Sequence, residues 1–178
     1  MIVDLTDLQT LMREPHWLDV THEAPHFLGI ALESNVPSDF DLADALRWLS
    51  FQPLPILGIG THSEAWAEGI DCFFDDAEAA QPVIAGITAN PRAAAAMVQV
   101  TRITSQLSLR DALVVESLAY STLLAGEEFK SWLQSRPAPR ARPLEDPVIL
   151  DRINQDLVIS LNAPRSRNAL SIDMRDAL

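Results

Sequence analysis

Short apolar runs alternate with an amphipathic segment in the first seventy-five residues. The runs 27–32, 56–60 and 70–74 are strand-length and rich in Ile, Leu and Phe, which is typical of buried strands. Between the first two runs, apolar residues recur at helical spacing from Leu42 to Leu49, with Ser38 or Asp39 as the predicted N-cap. A short helix is predicted at 63–68. The order strand, helix, strand, helix, strand predicts a parallel α/β layer.

The pattern becomes helical after residue 75. Polar caps precede three apolar periodic segments and a fourth segment follows Gly126, so four helices are predicted. Pro82 falls within the first of them and is expected in its first turn or at a kink. The predicted starts are Asp75 or Asp76, Asn90-Pro91, Ser108 with Asp111, and Glu127 after Gly126.

A proline-rich segment, 137–147, then predicts a linker between an α/β and helical unit, 1–136, and a second segment, 148–178. Apolar runs at 148–152 and 157–161 flank Asn154-Gln155-Asp156, which predicts a β-hairpin. A helix is expected to open at Ser171, about two turns before the last residue. This ending is expected to be the start of a further domain.

Charge and cysteine content narrow the function classes. The net charge is −12, and residues 1–90 carry two basic against fifteen acidic side chains. Phosphate neutralisation requires clustered Lys and Arg, so nucleic-acid binding is not expected. A single cysteine excludes an internal disulfide and indicates a reducing, cytoplasmic location. No apolar run reaches 18 residues, and the acidic start lacks the basic region of a signal peptide.

Two polar motifs have a chemical and a structural interpretation. His22 and His26 could bind a metal from one helix face, but Pro25 prevents that helix and the spacing differs from known zinc motifs. No metal site is therefore predicted. The segment Gly58-Ile-Gly60 could present backbone amides to an anion, or it could simply form a tight turn after a strand.

Two further positions carry reactive groups. Cys72 has apolar neighbours and is expected in the core rather than as a nucleophile. Glu116 and Tyr120 share a helix face. They could form an acid–base pair or a half-exposed structural surface.

Two stretches resemble the enoyl-CoA hydratase/isomerase (crotonase) superfamily. Residues 161–171 resemble the family's opening strand and turn. Residues 116–136, together with the Asn90-Pro91 helix start, resemble its closing helices. A motif that resembles the C-terminal end of the family thus precedes one that resembles its N-terminal end. This order indicates a shortened, degenerate crotonase-like unit followed by the first strand, turn and helix of a second unit. The matching residues of the opening stretch are Asn162, Pro164, Arg167, Asn168, Ala169, Leu170 and Ser171.

The resemblance implies an α/β fold of the crotonase spiral type, a homo-oligomer of trimeric type, and coenzyme A thioesters as substrates. It also implies that Arg165, Ser166 and Arg167 contact CoA, with Trp132 and Arg136 as weaker candidates. The alternative for Arg165 and Arg167 is that they are solvent-exposed loop arginines that bind no ligand. Ser135 replaces the lysine that the family has before Arg136.

The segments that would carry catalysis in the family, a glycine-rich oxyanion-hole donor and catalytic glutamates, have no counterpart in these residues. No catalytic residue is therefore assigned. The expected function is part of an acyl-CoA-processing protein that does not complete the reaction by itself. The alternatives are a non-catalytic acyl-CoA-binding, oligomerisation or regulatory module, and a decayed gene product.

Overall fold

The structure is a computed structural model that describes residues 1–14, 24–32, 36–61, 64–137 and 146–178. The chain divides after Arg136 into two compact units, Met1–Arg136 and Pro137–Leu178. Each unit is described by itself. Most of the predicted linker, residues 138–145, lies outside the described residues.

A four-stranded parallel sheet forms the centre of the first unit. Neighbouring strands follow chain order, and every neighbouring pair is parallel. The predicted parallel α/β layer is confirmed, whereas the crotonase spiral is not tested by this sheet. The first strand, only two residues long, was not predicted, and the last begins two residues later than expected. The strands are β1 (Ile2–Val3), β2 (Leu28–Leu32), β3 (Ile56–Gly60) and β4 (Cys72–Phe74).

Two helices accompany this sheet, α1 (Leu5–Arg13) and α2 (Leu42–Ser50). The unpredicted α1 is capped by Asp4, whose carboxylate accepts hydrogen bonds from the amides of the second and third helical residues. The prediction of Ser38 or Asp39 as the cap of α2 is wrong. Asp41 stands directly before the helix, and its carboxylate accepts from the amide of Asp44 at 3.0 Å.

In the described part of the connection from β3 to β4, a 3-10 turn, Glu64–Trp66, takes the place of the predicted helix at 63–68, whose first residue lies outside the described residues. Trp66 is 5% exposed and joins the core cluster. Its ring lies 5.7 Å from that of Phe40. The turn therefore supplies a large core side chain although it is too short to cover the sheet as a helix does.

The core of the first unit lies where the central strands meet α1 and α2. Leu8, Ile30, Leu49 and Ile56 are fully buried there. Gly58 allows close packing within the sheet, because a Cβ at this position would lie 2.8 Å from the Phe73 ring. The sheet, α1 and α2 therefore share one buried apolar core.

Four further helices complete the first unit: α3 (Ala77–Ala89), α4 (Pro91–Thr104), α5 (Leu109–Leu124) and α6 (Glu127–Ser135). Asp76, one of the two predicted caps, caps α3, and Ser108 caps α5. Pro82 lies beyond the first turn of α3. Proline lacks the amide that would donate to the carbonyl four residues earlier, which belongs to Glu78, an exposed residue,.

The predicted capping of α4 by Asn90 is only partly correct. Asn90 occupies the N-cap position, but its side chain makes no capping bond. The capping is done from α6, where the two carboxylate oxygens of Glu128 accept from the amides of Arg92 at 2.9 Å and Ala93 at 3.0 Å. A long side chain from a neighbouring helix thus replaces the local cap.

The second unit is an antiparallel hairpin followed by a short helix. Its strands are β5 (Val148–Ile153) and β6 (Asp156–Leu161), joined at Asn154 with a φ of 60°. The helix α7 (Ile172–Ala177) is capped by Ser171, and it buries Met174 completely. The predicted hairpin and the predicted helix start are confirmed.

Candidate functional site

The predicted CoA-contacting residues lie in the connection between β6 and α7. A 3-10 turn, Pro164–Ser166, is followed by Arg167 and Asn168 in left-handed conformation, with φ values of 54° and 55°. Left-handed residues other than glycine are uncommon and require local support.

Asn168 provides that support. Its side-chain oxygen accepts from the amide of Ala163 at 2.8 Å, and its own amide donates to the Ala163 carbonyl at 2.9 Å. This two-way contact closes the turn. Asn168 thus fixes the passage from strand to helix.

The three candidate side chains differ in what they can offer a ligand. Ser166 donates its hydroxyl to the Ala163 carbonyl at 3.0 Å, so it serves the turn. Arg165 and Arg167 are exposed. Within the part of the chain that the structure describes, neither guanidinium has an ion pair or a side-chain hydrogen bond. A closed turn therefore carries two free cationic groups two residues apart.

Trp132 of α6 and Arg136, the residue directly after that helix, lie together in the first unit. The guanidinium carbon of Arg136 lies 4.3 Å from the centre of the Trp132 ring, a cation–π contact,. The ring of Phe129 also stacks with that of Trp132, and the two ring centres are 5.6 Å apart. These two candidates and the Arg165–Arg167 turn belong to different units.

The Gly58–Gly60 segment is a tight strand end. A Cβ on Gly60 would lie 2.6 Å from the Leu32 carbonyl oxygen, and its φ is +113°. The amide of Thr61 donates to that same oxygen at 3.1 Å. Because the Thr61 amide is already engaged, the segment forms a tight turn after the strand in the part that the structure describes. Residues 62–63 lie outside the described residues.

Cys72 is exposed, so its predicted place in the core is wrong. It begins β4, which is an edge strand among the strands that the structure describes. Partial desolvation, and secondarily the negative charge of Asp71, raise the pKa of the Cys72 thiol. A raised pKa disfavours the thiolate and hence nucleophilic catalysis.

Glu116 and Tyr120 line an open groove of about 410 Å³ between α4 and α5. Met97, Leu109 and Leu113 also line it, and each of these side chains is more than half exposed. The sequence placed Glu116 and Tyr120 on one helix face but did not reveal the groove. The signal available was the apolar character of α5 on most of its circumference.

Neither a protein-family model nor a curated protein nor a solved structure matches the chain. Among the described residues, no group of three or more His, Cys, Asp or Glu side chains could hold a metal ion. No described helix is long and apolar enough to cross a membrane.

Proposed function

We propose that this chain is part of an acyl-CoA-processing protein of the enoyl-CoA hydratase/isomerase type, and that the turn 164–168 contacts the phosphates of coenzyme A. The observation that carries the proposal is the pair of free guanidiniums, Arg165 and Arg167, on a turn closed by Asn168. The sequence resemblance of residues 161–171 to the opening of that family supports the choice of ligand.

The chemistry of the turn suits a phosphate. A guanidinium presents several N–H donors in a fixed plane, and its hydrogen bonds to phosphate oxygens are charge-assisted. Because Asn168 already holds the backbone, binding does not have to order the turn,. The cost of binding is then mainly the ordering of the two side chains.

The proposal assigns no catalytic step to this chain. Enolate chemistry on a thioester needs backbone amides aimed at the developing oxyanion. The Gly58–Gly60 segment was the candidate for presenting amides to an anion. The amide of Thr61, which directly follows it, donates to the Leu32 carbonyl instead. Cys72, with its raised pKa, is unsuited to be a nucleophile.

The test is a calorimetric titration of coenzyme A into the protein and into the double variant Arg165→Ala/Arg167→Ala. Each lost charged hydrogen bond is worth about 1.5–3 kcal/mol, so the affinity should fall by about tenfold or more. Arg152→Ala is the matched control, because Arg152 is an exposed arginine of the same unit. Equal affinities for the protein and the double variant would refute the proposed contact.

A second candidate function, a non-catalytic oligomerisation module, is favoured by one specific observation. Helix α5 has no buried residue along its 16 residues. Such a helix gains little stability from this unit by itself, and an associated molecule would cover it.

A further inference from the structure

We draw no further inference here: the strongest candidate, the open apolar groove between α4 and α5 that Met97, Leu113 and Tyr120 line, carries no proposal because nothing in the described part of the chain shows what covers it.

Discussion

Arg102 of α4 and Asp71 before β4 form a bidentate ion pair, with Nε to Oδ1 at 2.9 Å and Nη2 to Oδ2 at 2.5 Å. Arg102 also donates to the carbonyls of Gln52 and Leu54, while Asp71 accepts from the amide of Ile56. The two side chains are 24% and 16% exposed. Arg102 thus links α4 to the residues directly before β3 and β4.

Arg102→Ala should lower the free energy of unfolding by about 2–3 kcal/mol, because a largely buried carboxylate and two carbonyls lose a charged donor. The free energy of unfolding of Arg102→Lys should lie between those of Arg102→Ala and the wild type, because a lysine ammonium keeps the charge but cannot form the bidentate contact of a planar guanidinium. Urea unfolding followed by circular dichroism measures both. Arg92→Ala, an exposed arginine at the start of the same helix, is the control. An equal loss of stability in Arg92→Ala and Arg102→Ala would contradict a stabilising role of the Arg102–Asp71 pair.

Glu128→Ala should destabilise the junction of α4 and α6. The substitution leaves the amides of Arg92 and Ala93 without their acceptor, and the loss of a helix cap typically costs about 1 kcal/mol. Hydrogen exchange at these two amides should accelerate. Glu127→Ala serves as the control, because Glu127 only pairs with Lys130 on the helix surface,. Unchanged protection at both amides in Glu128→Ala would show that α6 does not cap α4.

Cys72 should titrate at a higher pH in the folded protein than in the unfolded chain. Desolvation, and then the charge of Asp71, raise the pKa of its thiol. At a given pH below that pKa, the folded protein therefore holds less thiolate and is alkylated more slowly. The rate of iodoacetamide modification against pH, with and without urea, gives the two midpoints. A folded midpoint at or below the unfolded one would refute this assignment.

Most of the secondary structure could be predicted because most elements have a local signal in the sequence. The apolar runs of β2 and β3, the Ser108 cap and the Ser171 cap are all visible in the sequence. Helix α1 also has a local signal, an aspartate before Leu5 and Leu8. The two-residue β1 has none, because a strand of that length exists only through pairing with β2,.

The errors arose where distant residues decide the outcome. Cys72 has apolar sequence neighbours, but it stands on an edge strand, and edge position depends on the order of strands. The capping of Arg92 comes from a residue 36 positions away. Likewise, Arg102 and Asp71 are 31 positions apart and carry no shared motif. Long-range polar contacts of this kind leave no periodic pattern in a single sequence.

The candidate turn is an intermediate case. Pro164, Asn168 and Ser171 fix its backbone through local interactions that the sequence suggested. That Ser166 is engaged while Arg165 and Arg167 are free follows only from the folded turn. The sequence therefore predicts how the turn is held, and the structure shows which side chains of the turn are already engaged.

The most direct test of the account mixes the protein with crotonyl-CoA at saturating concentration and follows the absorbance of the enoyl thioester. Binding is measured by calorimetry on the same sample. We expect heat of binding that Arg165→Ala/Arg167→Ala loses, with no decline in the absorbance. Turnover of the thioester by the protein, or the absence of binding, would contradict a CoA-contacting chain that performs no chemistry.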